Sequence, residues 1–129
     1  MPAEHRIDTD NSIIVTTWSG EASDSDLIDS LTRYQQEIRD RADHHTYDEI
    51  LDFSQADGFS LTTDGIRRLA QLSVANEVAG VRTRLAIVVA STLAYGLGRM
   101  YESLLESEIL STVKSFRTAD EARQWLTEG

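Results

Sequence analysis

The stretch Leu85-Ala-Ile-Val-Val-Ala90 is apolar at every position. A strand with one wet face alternates apolar and polar residues. An unbroken run must be covered on both faces, as in the centre of a parallel sheet layered by helices. Ser91 or Thr92 follows at once as a helix N-cap. Beyond it, Leu93, Leu97, Met100, Tyr101, Leu104 and Leu105 recur at helical spacing and form the clearest amphipathic stripe in the chain. Leu97, Met100, Tyr101 and Leu104 are expected to be buried. A strand that feeds directly into an amphipathic helix is half of a βαβ unit, so neighbouring segments are expected to repeat it.

They do. His5 to Thr9 reads as a short strand, with Asp10-Asn11 as turn chemistry. Ile13 to Ser19 is dense in β-branched and aromatic residues and reads as a strand ended by Gly20. Ser23 or Ser25 caps a helix carrying Leu27, Ile28, Leu31, Tyr34 and Ile38, extending to about Arg41. Tyr47 to Phe53 is the next strand, and Ser54 to Ser60 reads as a loop with a turn signal at Asp57-Gly58. A helix follows from Thr62 or Thr63, with Ile66, Leu69, Ala70 and Leu72, closed by Gly80. Ser111 to Phe116 is polar enough for an edge strand, and Thr118 caps a final helix with Ala122, Trp125 and Leu126 on its buried side. The order ββαβαβαβα predicts an α/β fold: a mostly parallel sheet with an N-terminal antiparallel hairpin.

The length of 129 residues suits one domain spanning residues 1–129. The apolar run of Leu85 to Ala90 is far short of the roughly 20 residues of a membrane span. The opening residues Met1 to Arg6 carry no apolar segment, so no signal peptide is expected and the expected location is the cytoplasm. The chain has no cysteine, which excludes disulfides, thiol catalysis and cysteine-based metal sites. The net charge of −10 opposes nucleic-acid binding and anionic membrane surfaces. The bases are Arg but for Lys114, a bias that fits either a GC-rich genome or a salt-adapted host.

Leu51-Asp52-Phe53-Ser54 at the end of the third strand, within this element order, resembles the STAS / SpoIIAA-like superfamily. The segment Ala90-Ser-Thr-Leu-Ala-Tyr-Gly-Leu-Gly-Arg-Met-Tyr-Glu102 is similar to its less characterised SpoIIAA-like branch, where a Tyr/Phe-Gly-Leu-x-Arg-Met segment follows the fourth strand. Phe116 to Leu126 fits the final strand-to-helix element, so the resemblance covers essentially the whole chain. It implies a STAS-like fold. In the bacterial anti-sigma-factor antagonists of this superfamily, an Asp-Ser-Ser-Gly segment opens the second helix, and its first serine is phosphorylated. Here the matching place reads Thr62-Thr63-Asp64-Gly65. The serines are gone, so Thr62 and Thr63 are expected to serve as a helix cap rather than as phosphorylation sites. The branch is also loosely similar to CRAL-TRIO lipid-binding domains, which implies a small-ligand alternative.

No nucleophile elbow, P-loop or dinucleotide fingerprint is present, and no enzyme activity is expected. Tyr95, Arg99 and Glu102 share a helix face. Arg99 and Glu102 can pair at i, i+3; alternatively Arg99 offers a fork to an anionic ligand at the carboxyl edge of the sheet. His44 and His45 read as an exposed loop pair without further ligands, so no metal or other cofactor is expected. Asp52 ends a strand and is expected to bond loop N–H groups. Gly96 and Gly98 weaken their helix, which calls for close packing on the sheet or on another subunit. Trp18 looks exposed on its strand and is expected under a helix or against a second subunit. These readings converge on a non-enzymatic interaction module that contacts a protein partner or itself as a homodimer. The alternative is a carrier or sensor of an anionic or lipid-like molecule near the third helix.

Overall fold

A computed structural model describes residues 3–39, 46–75, 83–106 and 112–128. Strands β1 (Ala3–Asp8) and β2 (Ile13–Ser23) form an antiparallel hairpin. Its turn is closed by Asp8, whose carboxylate accepts from the backbone and side-chain N–H groups of Asn11. Strands β3 (Asp48–Ser60), β4 (Arg84–Val88) and β5 (Thr112–Phe116) then add in parallel, giving a five-stranded sheet in the order β1-β2-β3-β4-β5. The expected α/β order and the edge position of the last strand are both observed.

Helices α1 (Asp24–Tyr34), α2 (Thr63–Ala75), α3 (Thr92–Leu105) and α4 (Ala119–Thr127) connect or follow the strands. Side-chain oxygens cap all four: Ser23 accepts from Asp26 N–H, Thr62 from Gly65 N–H, Ser91 from Ala94 N–H and Thr118 from Glu121 N–H. A π-helical segment, Gln35–Arg39, continues α1. Period-two alternation along each strand divides the side chains between two cores. Trp18, Phe53, Ile87 and Val89 meet Leu27 of α1, Ile66 and Leu69 of α2 and Ala94 of α3. Ile13, Val15, Ile50, Ala86 and Val88 meet Ala122 and Leu126 of α4.

Three sequence expectations are corrected. Strand β2 does not stop at Gly20; it runs on to Ser23, with Gly20 at φ +83°, a conformation that glycine adopts without steric penalty. The segment Ser54 to Ser60 is not a loop but the second half of β3. Pairing with the extended β2 overrides the turn signal, and the ladder absorbs Asp57 as a bulge between Ala56 and Gly58. Trp18, expected under a helix or against a second subunit, lies under the helices: it clusters with Leu27, Ile66 and Leu69 at 0% exposure, and its indole N–H donates to the Glu21 carbonyl. Leu104, expected in the buried stripe, is 36% exposed, and Leu93 is 71% exposed. The face of α3 against the sheet is Ala94, Gly98 and Leu105, with Leu97, Met100 and Tyr101 half-buried. Small residues bring this helix close to β5 and rotate the larger leucines outward. A Cβ on Gly98 would lie 2.5 Å from Ser115 Oγ.

Candidate functional site

Between the sheet and the layer of α1, α2 and α3 lies a cavity of about 180 Å³. Its floor is made by Thr16, Trp18, Leu51, Phe53, Leu85 and Ile87, and its roof by Leu27, Leu31, Leu69, Leu97 and Tyr101. Protein interiors hold few voids larger than a water molecule. Side chains that line an unfilled hollow lack packing partners on that side. An apolar cavity of about 150 Å³ stays dry and holds a benzene ring, so this one has room for a small ring or a short alkyl chain.

Polar side chains in the lining pair with one another at two places. On the hairpin side, a ring nitrogen of His5 (Nδ1) lies 2.7 Å from Thr16 Oγ1, and the imidazole packs on the Tyr34 ring at 5.1 Å between centroids. Burial lowers the His5 pKa from its ordinary value of 6.5, against a smaller opposing pull from Glu37. The imidazole is therefore neutral at pH 7. On the helix side, Ser73 Oγ of α2 and Tyr101 OH of α3 are 2.5 Å apart. Burial pushes the Tyr101 hydroxyl up to about 12, so it stays protonated. Tyr101 is half-buried and lines the cavity. A second, polar hollow of about 140 Å³ lies outside α1, lined by Asp26, Asp29, Arg33 and Glu37. His5 and Ser30 line both hollows and form the wall between them.

The residues singled out from the sequence lie elsewhere. Arg99 Nη1 is 3.8 Å from Glu102 Oε1, and the other Glu102 oxygen accepts from the Ser115 N–H of β5. Tyr95 of the same helix receives the Arg117 guanidinium over its ring at 5.7 Å, while Arg117 also donates to the Ala90 carbonyl. Tyr95, Arg99 and Glu102 thus divide between two structural contacts. Thr62 is an N-cap: its hydroxyl accepts from Gly65 N–H at 3.0 Å and donates to Asp24 Oδ2 at 2.6 Å. These contacts, with a second bond from Thr62 N–H, hold the Asp24 carboxyl below its ordinary pKa. Thr63 is the exposed first residue of α2. Gly65 belongs to the same junction, because a Cβ there would overlap the Asp24 carboxylate. Asp52 does not end its strand: it lies within β3, and its carboxylate accepts from the Ser54 N–H of the same strand at 2.8 Å rather than from a loop. The His44-His45 pair lies outside the described residues.

Sequence reasoning missed the cavity. Its lining alternates along β2, β3 and β4 with residues of ordinary core type, and nothing in periodicity separates a core that fills its space from one that does not. A signal was nevertheless present in the polar residues Thr16, Glu49 and Ser73, which fall on otherwise apolar inward faces. Among the described residues, no group of three or more His, Cys, Asp or Glu side chains is placed to hold a metal ion. No helix among them is long and apolar enough to cross a membrane.

No protein-family model matches the chain, and neither does any curated protein. Among solved structures, it is similar to an uncharacterised protein of the DUF3478 family with a SpoIIAA-like fold from Shewanella loihica PV-4. The TM-score is 0.54 at 16% sequence identity, over 96% of this chain and 91% of that one. Both the element order and the mixed sheet with its N-terminal antiparallel hairpin agree with that likeness. The chain therefore has a SpoIIAA-like α/β fold.

Proposed function

We propose that this protein is a non-enzymatic carrier or sensor that binds a small, mostly apolar molecule between the sheet and helices α1 to α3. The supporting observation is the cavity of about 180 Å³. A bound molecule would recover much of the packing that an empty hollow forgoes. The reading places the protein in the cytoplasm, where a net charge of −10 favours solubility. Native mass spectrometry of protein purified from its own host tests it, alongside Leu97→Phe, a substitution that enlarges a cavity-lining side chain. The expected result is a retained small molecule on the wild type and reduced retention on the variant. A wild type that carries nothing, and whose melting temperature is unmoved by saturating small apolar compounds, overturns the reading.

A second reading is an interaction module that contacts a protein partner or a second copy of the chain. It rests on Leu93, at 71% exposure, and Leu104, at 36%, on the outer side of α3. Sedimentation at micromolar concentration tests the homodimer. The expected result is a dimer that Leu93→Glu weakens; a wild type that stays monomeric removes it.

A further inference from the structure

We propose that the Ser73–Tyr101 hydroxyl pair is the polar anchor of the cavity, selecting a neutral, ring-sized molecule with a single hydroxyl or carbonyl group. The proposal rests on the cavity's being a binding site and specifies its ligand.

The two hydroxyls come from different helices, α2 and α3, and meet at 2.5 Å beside the cavity that both residues line. Two hydroxyls carry two protons and several lone pairs between them, and their mutual bond uses only one of each. One O–H proton and further lone pairs remain to serve a ligand atom. Because burial holds Tyr101 protonated, the pair can donate at any physiological pH. A hydroxyl or carbonyl on the ligand would complete the pair's hydrogen bonding in a setting where unmet polar capacity is costly.

The rest of the lining sets shape and charge. Trp18, Phe53 and Phe59 form a continuous aromatic wall, with centroids 5.9 Å apart at a 48° tilt and then 5.4 Å apart edge-on at 65°. Tilted and edge-on faces of this kind accommodate a further ring. Among the described residues, the titratable groups in the lining are the neutral His5 imidazole, the two tyrosine hydroxyls and the Glu49 carboxylate, whose negative charge also acts on Tyr101. A ligand carboxylate placed at the anchor would lose its hydration there, a cost that a neutral molecule does not bear. The cavity therefore favours a phenol-like or similar neutral molecule over an anionic one, half of the anionic or lipid-like alternative read from the sequence.

Three probes of similar size separate the parts of this argument: toluene, phenol and benzoate, titrated by calorimetry or NMR at pH 7.5 into the intact chain. Wild type is expected to bind toluene and phenol at one site, with benzoate at least about tenfold weaker than phenol. Tyr101→Phe is expected to weaken phenol about five- to tenfold while leaving toluene unchanged, the loss of one hydrogen bond. Ser73→Ala makes the same comparison from the other hydroxyl, with less change of shape. If both variants leave the ratio of phenol to toluene affinity unchanged, the pair is not the anchor. Benzoate binding as tight as phenol overturns the selection for neutral molecules while leaving the cavity as a site. Failure of both toluene and phenol to bind the wild type overturns the binding site itself.

Discussion

The two faces of the sheet are built from the same strands and packed to different ends. The face under α4 is closed by a single nine-residue helix. Ala122 and Val88 there are fully buried, and Trp125 packs on Phe116 at 5.4 Å. The Arg84 guanidinium seals the edge: it lies 5.5 Å from the Trp125 ring centre and donates to the Trp125 carbonyl. The opposite face is covered by three helices and still leaves a hollow of about 180 Å³. It also holds the half-buried hydroxyl pair and the half-buried imidazole. One helix with an alanine at its centre sits down on the sheet and fills its space. Three helices must also pack on one another, and where α2 and α3 meet through Ser73 and Tyr101 the roof stays above the floor. The closed face is suited to stability, the open one to holding something.

The largest expected effect tests the closed face. Leu126, at 7% exposure on α4, should cost about 2–5 kcal/mol when replaced by alanine, measured by denaturant unfolding. A loss below about 1 kcal/mol would mean that α4 contributes little to the core.

Enlargement should then distinguish the faces directly. Ala122→Leu, where the native residue is 0% exposed, should cost about 1–3 kcal/mol through overpacking. Leu97→Phe, which extends into the cavity, should change stability by less than about 1 kcal/mol. Equal losses at the two positions would erase the proposed difference in packing.

The pH dependence of stability should map to the open face. Tyr101 titrates near 10 in the unfolded chain and near 12 in the fold. Its contribution is therefore complete below pH 10 and is lost as pH rises toward 12. His5 is shifted the other way, below its ordinary 6.5, so its contribution is complete above pH 6.5 and falls as the solution is acidified. Thermal melts across pH should show both losses, with Tyr101→Phe flattening the alkaline limb and His5→Gln flattening the acid limb. A Tyr101→Phe profile that superimposes on the wild type above pH 10 would place that hydroxyl in water.

The smallest effect concerns the outer side of α3. Leu104→Ala should cost no more than about 0.5 kcal/mol, as expected for a surface substitution. A loss of about 2 kcal/mol or more would return Leu104 to a buried position and restore the helix phase expected from spacing alone.

Local chemistry determined the elements by itself. The unbroken Leu85 to Ala90 run required two covered faces, Ser23, Ser91 and Thr118 marked helix starts by offering an oxygen to free N–H groups, and strand–helix alternation required parallel crossovers. Each depends on neighbours a few residues apart and is therefore readable along the chain. Tertiary structure decided what depends on partners distant in sequence. Pairing with β2 held Ser54 to Ser60 in a strand despite the Asp57-Gly58 signal. The fit of Gly98 against Ser115 set the rotation of α3, turning Leu104 outward where its spacing alone placed it inside. The cavity belongs to the same class. Whether inward side chains fill the space between sheet and helices depends on how high three helices ride over the strands, a distance fixed by all their contacts together and written in no single segment.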